Sequence, residues 1–225
     1  MSLVSCILPT RDRPEYTRQA VQSFLTQTYS ERELIIVDDA DRPSLMEVPT
    51  DSRIHYFREP QQPLGTKRNR CCFLSHGEII CHFDSDDWSE PTRIADQVQR
   101  LQQSGKRVTG YYSMLFFDEG GEPEWGYHEL APSYEALGTS LCYEKSYWEQ
   151  EPFRNIPWLN LPCVGEDNDF VARAVQRNAW ISEKGAGMMV ARVHAKQTSP
   201  KTISDFRPYS SIIPPAFAAM LKPSS

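Results

Sequence analysis

The sequence predicts an α/β fold: a mostly parallel central sheet flanked by helices, followed by a smaller, irregular half. Three observations carry this. Short apolar runs rich in β-formers recur at Leu3–Leu8, Glu33–Val37, Ile54–Phe57 and Ile79–Phe83. Segments with apolar residues at helical spacing lie between them. Three of the runs stop at polar loops (Pro9–Asp12, Asp38–Asp39 and Asp84–Asp87), which places those loops along one edge of a parallel sheet.

The elements follow in order. Leu3–Leu8 reads as a first strand broken by Pro9-Thr10-Arg11-Asp12-Arg13-Pro14. A helix runs from about Pro14 to Thr26, with Pro14 suited to its first turn and Ala20, Val21, Phe24 and Leu25 on one face. Glu33–Val37 and Ile54–Phe57 are the second and third strands, and Gly65–His76 is a helix entered from a glycine turn. The fourth strand, Ile79–Phe83, ends in the acids and is followed by a helix from about Pro91, closed by Gly105. Beyond it the regularity falls. Val108–Phe117 is rich in β-formers, and Asp118-Glu119-Gly120-Gly121-Glu122 predicts a hairpin turn. Leu141–Trp148 reads as a strand leading into a short helix, and Pro152–Pro162 as irregular. Glu166–Arg177 is helical and Met188–Val193 a strand. One domain fits best: residues 1–105 and 106–200 form two halves and 201–225 a tail.

Composition narrows the function. The chain has 225 residues, of which 40% are apolar, enough for one sizeable core. No run of about 18 apolar residues encodes a membrane span. The six cysteines lack a zinc spacing and read as reduced, buried thiols, which points to the cytoplasm. The net charge of −6 argues against a general nucleic-acid binder. The charge is uneven, because Arg192–Ser225 carries five Lys/Arg against one acid. That basic end suits phosphate or a peripheral contact with anionic lipid, or simply solvent. The segment IIPPAFAAML near the C-terminus suits folding back onto the core better than a membrane surface or a homo-oligomer contact.

The stretch GEIICHFDSDDWSEPTR is the chemical centre of the sequence. Asp84, Asp86 and Asp87 repel one another at such spacing, and carboxylate oxygens suit a hard divalent ion, Mg²⁺ or Mn²⁺, that also binds substrate phosphates. Taken alone, the stretch reads more readily as a solvated turn whose Asp87 or Ser89 caps the next helix.

Other motifs decide between these readings. PTRDRP after the first strand, VDDA after the second, GTKRN before the fourth and HFDSDDW after it occur in the order found in family 2 glycosyltransferases of the GT-A fold. VGEDNDF at 164–170 and RVHAKQTS at 192–199 extend the likeness, which covers roughly residues 3–200. The chain therefore resembles that family. The resemblance implies an inverting, metal-dependent enzyme that moves a sugar from a nucleotide sugar, with a UDP-sugar favoured. The acceptor would be a glycan, a lipid-linked saccharide, a protein or a small molecule. Motifs of this kind specify neither donor nor acceptor.

The resemblance also distributes roles. Pro9, Thr10, Arg11 and Asp12 would line the base pocket and Asp39 would read the base or ribose. The Gly65 turn would let backbone approach the donor, with Lys67, Arg68 and Asn69 beside it. Asp84 and Ser85 would contact donor, with Asp84, Asp86 and His194 at the metal; Asp86 is the first choice for direct ligation. Asp87 would cap the next helix or orient the pair, and Trp88 would pack beneath the loop. Arg192 and Lys201 would meet the diphosphate. Asp167 would be the general base, with Glu166 binding acceptor or orienting it. The family's Asn after the His is replaced here by Gln197, with Thr198 and Ser199 following. Trp125, Trp148 and Trp158 are candidate stacking platforms for a sugar.

Three other functions compete. A sugar-1-phosphate nucleotidyltransferase would want a Gly-rich loop where this chain has PTRDRP. A non-catalytic GT-A module would not need both the D-x-D and the Glu-Asp pair. A hydrolase using Asp86 and Asp167 would consume donor without acceptor.

Overall fold

A computed structural model describes residues 1–120, 124–130, 136–156, 165–185, 187–195, 201–210 and 213–220. Trp158, Cys163, Gln197, Thr198 and Ser199 lie outside the described residues.

The elements in chain order are β1 (Val4–Thr10), α1 (Pro14–Leu25), β2 (Arg32–Asp38), β3 (Ile54–Arg58), α2 (Leu64–Leu74), β4 (Ile79–His82), β5 (Asp87–Ser89) and α3 (Arg93–Ser104). They continue with β6 (Val108–Tyr111), β7 (Ser113–Asp118), β8 (Glu124–Glu129), β9 (Cys142–Glu144), α4 (Lys145–Gln150), α5 (Glu166–Gln176), β10 (Trp180–Glu183), β11 (Met189–Val193), β12 (Arg207–Pro208) and α6 (Pro215–Met220).

Seven strands form the central sheet in the order β10-β6-β9-β4-β1-β2-β3. All of its pairings are parallel except those of β9, which runs antiparallel to β4 and β6. The period-2 alternation of strands sorts side chains onto two faces. Val4, Cys6 and Leu8 of β1 join Leu34 and Ile36 of β2 in the core shared with α1 and α3. Ile7, Ile35, Val37 and Ile80 face the other core, with α2 and α5. Burying each such side chain contributes about 1.5–3 kcal/mol. This two-sided burial is why β1 and β2 read as unbroken apolar runs.

The helix boundaries have local causes. Pro14 opens α1, and Gly105, at φ 65°, closes α3 in the left-handed region that glycine tolerates. Helix α3 begins at Arg93 rather than at Pro91, and Thr92 is its N-cap. Neither Asp87 nor Ser89 caps it, because both lie in β5.

The second half is more ordered than its sequence pattern. A five-stranded sheet runs β12-β8-β7-β11-β5. The expected hairpin is β7–β8, with Asp118 opposite Glu124. The run Val108–Phe117 is divided between the two sheets, β6 in one and β7 in the other. Helix α6 folds back onto this sheet: Phe217 is fully buried among Trp88, Leu115, Phe117 and Val190. Trp88 thus packs beneath the acidic loop as expected. Five cysteines (Cys6, Cys71, Cys72, Cys81 and Cys142) are buried free thiols. Among the described residues no helix is long and apolar enough to cross a membrane.

Candidate active site

The carboxyl ends of β1, β2 and β4 place the loops Pro9–Arg13, Asp38–Asp39 and Phe83–Asp86 on one edge of the central sheet. Such an edge is where open α/β sheets bind ligands. Two adjoining cavities lie there. One, of about 450 Å³, is lined by Pro9, Thr10, Arg11, Asp12, Arg13, Leu64, Lys67 and Ser85. The other, of about 350 Å³, takes in Asp84, Asp86, Asp87, Glu166, Asp167, Arg68, Arg192 and Lys201 over an apolar wall that includes Met114, Phe116 and Leu137. Pro9, Arg13, Leu64 and Ser85 line both.

In the first cavity, Thr10 is buried and its hydroxyl pairs with that of Thr17 at 2.8 Å. Arg11 and Asp12 are exposed and pair with each other at 3.4 Å, with Asp12 at φ 54°. Lys67 is buried, ion-paired with Asp39, and donates to the Thr10 carbonyl at 3.2 Å. Asp39 also accepts from the Gln62 amide at 3.0 Å. Lys67 lines the cavity and Asp39 stands behind it. Asp38 is fully buried and accepts from Ala40, Ser44 and Tyr56, which makes it a staple for the following loop.

Two residues of α2 have partners within the chain. Gly65 sits in the first turn of the helix, and a β-carbon there would come within 2.7 Å of the Arg154 carbonyl. The close approach it permits is to the chain's own Arg154–Asn155 segment. Asn69 is bonded within the chain. Its Nδ2 donates to the Phe153 carbonyl at 2.8 Å, and its Oδ1 accepts from Trp148 Nε1 at 2.8 Å and the Phe153 amide at 2.9 Å. It fastens α4 to α2. Trp148 and Trp125 are accordingly packing residues, Trp125 lying 5.4 Å from the Phe217 ring.

Arg68 is the hub of the second cavity. Its terminal nitrogens meet both Asp84 oxygens, at 3.1 and 3.2 Å, and its Nε donates to Glu166 Oε1 at 3.0 Å. Nη1 also lies 2.8 Å from His82 Nδ1. Burial works against the Arg68 charge, but Asp84, Glu166 and Asp167 outweigh it and raise its pKa. Burial would raise the Asp84 carboxyl; Arg68 overcomes it and holds it below the usual range. At Glu166 burial wins, and the carboxyl is raised despite Arg68. His82 is kept neutral by burial and by Arg68. Arg68 therefore joins the D-x-D loop to the Glu166-Asp167 helix start while lining the cavity.

Asp86 is held differently. Its Oδ2 accepts from Arg13 Nη1 at 2.7 Å and lies 3.0 Å from His194 Nε2. The His194 ring lies against Tyr16, with centroids 4.3 Å apart. Asp87 accepts from the Thr139 hydroxyl. Burial, then the charges of Asp86 and Asp84, push its carboxyl up to about 8. Asp87 lies in β5 rather than capping a helix, and its carboxyl is biased towards the protonated form.

Asp86 and His194 fit a divalent ion. They bring a carboxylate oxygen and an imidazole nitrogen within 3.0 Å of each other, a donor pair that could hold such an ion. Among the described residues no three His, Cys, Asp or Glu side chains are grouped to hold a metal by themselves. Asp84, expected at the metal, is instead doubly bonded to Arg68. One carboxylate and one imidazole would leave several positions for water or phosphate oxygens, which hard divalent ions favour.

Helix α5 contributes Glu166, Asp167 and Asn168 to the same cavity. Asp167 Oδ1 accepts from the Asn168 amide at 2.8 Å. A β-carbon at Gly138 would overlap the Asp167 carboxylate, and one at Gly165 would lie 2.6 Å from it. Two glycines thus make room for this side chain. The Arg192 guanidinium is buried against Glu119, but neither terminal nitrogen makes a hydrogen bond of normal geometry among the described residues. Burial lowers its pKa. A buried, poorly satisfied guanidinium on a cavity wall suits an anion.

Residues 5–176 match the family described as Glycosyl transferase family 2. This chain belongs to that family. The match takes in PTRDRP, VDDA, GTKRN, HFDSDDW and VGEDNDF, while RVHAKQTS lies beyond it. Among curated relatives, the glycosyltransferase GlyA of Streptococcus pneumoniae is 28% identical over 160 residues, covering 68% of this chain and 21% of that protein. Among solved structures, the TarS fragment of S. aureus in complex with UDP-GlcNAc superposes with a TM-score of 0.63 at 15% identity, over 90% of this chain and 60% of that one. The mannosyltransferase PcManGT of Pyrobaculum calidifontis, in complex with GDP-Man and Mn²⁺, gives 0.61 at 13% identity, over 87% and 58%. The α/β architecture of this family 2 chain is that of the GT-A structures.

Several site residues carried no signal of their own in the sequence. Arg13 lies inside PTRDRP, but nothing in that motif ties it to Asp86. Gly138 and Thr139 sit in an unremarked 3-10 turn, Gly138–Ser140. His82 is the first residue of HFDSDDW and reads as part of the strand.

Proposed function

We propose that this chain transfers a glycosyl group from a nucleoside-diphosphate sugar to an acceptor hydroxyl, with inversion at the anomeric carbon. A UDP-sugar is the favoured donor. The reading is carried by one observation: Asp84 and Asp86 line the same cavity as Glu166 and Asp167, Arg68 bonds both Asp84 and Glu166, and His194 lies 3.0 Å from Asp86.

The nucleoside lies in the cavity of Pro9–Arg13 and Lys67, with Asp39 fixing Lys67. The diphosphate crosses Ser85 and Arg13, which border both cavities, towards Arg192 and Lys201. Asp86 and His194 would hold a Mn²⁺ or Mg²⁺ ion, which when bound offsets charge on the diphosphate. Asp167 takes the proton of the acceptor hydroxyl as that oxygen attacks the anomeric carbon. The new C–O bond forms as the bond to the diphosphate breaks, and the nucleoside diphosphate leaves with the electron pair. Glu166, bonded to Arg68, fixes the start of α5 and hence the place of Asp167.

A thermal-shift panel of nucleoside diphosphates and nucleotide sugars with Mn²⁺, Mg²⁺ or EDTA tests this. A ligand that binds only the folded chain raises Tm. The expected result is a metal-dependent rise with UDP or a UDP-sugar that is lost in Asp86→Ala. No shift with any nucleotide, or equal shifts in Asp86→Ala, would overturn the reading.

A further inference from the structure

The cation that Asp86 meets in this structure is part of the protein. Arg13 Nη1 donates to Asp86 Oδ2 at 2.7 Å across 73 residues of sequence. Both side chains are largely shielded, at 12% and 14% exposure. The backbone of Arg13 is fixed at the start of α1, where its carbonyl accepts from the Thr17 amide at 2.9 Å and the Thr17 hydroxyl at 2.8 Å. Proline follows it in the first turn. The side chain thus reaches Asp86 from a fixed backbone, and Arg13 borders both cavities.

The surrounding charges make this pairing consequential. Arg68 already offsets Asp84 and Glu166. Arg13 offsets Asp86 on the same oxygen that lies against His194. A divalent ion arriving alone would share that oxygen with a guanidinium at close range, and like charges at such separations in a shielded site repel strongly. A diphosphate changes the balance. It brings negative charge into the space Arg13 borders, and a guanidinium pairs with phosphate as readily as with carboxylate.

We propose that Arg13 is an internal counter-ion for Asp86 that makes divalent-ion binding conditional on the nucleoside diphosphate. Without nucleotide, Arg13 holds Asp86 and the ion binds weakly. With nucleotide, the diphosphate draws the guanidinium away and frees Asp86 for the ion. By linkage the same coupling makes the ion strengthen nucleotide binding. The inference rests on the reading of Asp86 as a metal ligand given above.

The test is Mn²⁺ binding to the whole chain, followed by the electron-paramagnetic signal of free Mn²⁺, with and without saturating UDP. Wild type, Arg13→Gln, Arg13→Lys and Asp86→Ala are compared, together with Arg13→Gln/Asp86→Ala. Removing the competing charge is expected to tighten Mn²⁺ binding without UDP about tenfold in Arg13→Gln. UDP should then add less to the Mn²⁺ affinity of that variant than to that of wild type. Arg13→Lys keeps the charge and should stay weak without UDP, which separates lost charge from disturbed packing. Equal or weaker Mn²⁺ binding in Arg13→Gln overturns the proposal, as does equal enhancement by UDP in wild type and Arg13→Gln. If the double variant binds Mn²⁺ as tightly as Arg13→Gln, then Asp86 is no ligand and the functional reading of the metal site fails as well. If Asp86 proves essential but Arg13→Gln is no tighter, the counter-ion role alone is lost.

Discussion

Arg68→Met strips the site of its hub while keeping an apolar stem of similar length. Arg68 is 3% exposed, and its partners Asp84 and Glu166 are 23% and 11% exposed at the side chain. Losing one member of a buried ion pair costs about 3–5 kcal/mol, because the remaining charge stays buried without compensation. The partial exposure of Asp84 favours the lower end, about 3 kcal/mol. For a chain of this size that corresponds to a fall in Tm of about 6–12 °C. The loss has a defined pH dependence. In wild type, Arg68 holds the folded Asp84 carboxyl below its ordinary value. That stabilisation is present above the unfolded pKa, near 4, and is lost as pH falls through the folded one. Without Arg68, burial raises both Asp84 and Glu166 above their unfolded values. Their protonated forms are then favoured in the fold, and stability is lost as pH rises. The deficit of Arg68→Met relative to wild type is therefore larger at pH 8 than at pH 5. Urea unfolding of both proteins at the two pH values, in EDTA, measures it. A deficit under about 1 kcal/mol, or one equal at both pH values, would refute the hub role.

The other predictions are local. Gly138→Ala is expected to displace the Asp167 carboxylate, lowering kcat by about a hundredfold while nucleotide-induced thermal shifts remain; unchanged kcat would mean that Asp167 need not sit against Gly138. Asp87→Asn mimics the protonated carboxyl. Since the folded Asp87 pKa is raised to about 8, wild type loses stability as pH rises from the unfolded value through 8, whereas the variant does not. Melts in EDTA should show Asp87→Asn gaining on wild type between pH 6 and pH 9, and parallel curves would contradict it. Phe217→Ala empties the space among Trp88, Phe117 and Trp125. It should cost about 3–5 kcal/mol if α6 unfolds with the rest of the chain. Tryptophan fluorescence reports that local change, and an unaltered spectrum and melt would show α6 to be undocked.

The chain's own residues dictate the first half of the fold. Alternate residues of β1 and β2 carry apolar side chains to both faces, so Leu3–Leu8 and Glu33–Val37 can only be interior parallel strands. Pro14 and Gly105 mark helix ends because proline's fixed φ suits a first helical turn and glycine tolerates the left-handed φ that closes one. The order of PTRDRP, VDDA, GTKRN, HFDSDDW and VGEDNDF marks the family for the same reason: each motif ends or begins an element. What the sequence left open is what depends on contacts between distant segments. Strand β5 is three residues long and exists because it pairs with β11, about a hundred positions away. Asn69 and Gly65 look like ligand contacts until the chain at 153–155 is seen to fill their places. Arg13 meets Asp86, Arg68 meets Glu166 and Gly138 meets Asp167 across separations that carry no local periodicity. Charge type and motif order are written in the chain itself, whereas the choice of partner for each charge is made by tertiary packing, because only there do shielding and distance decide which opposite charge is nearest.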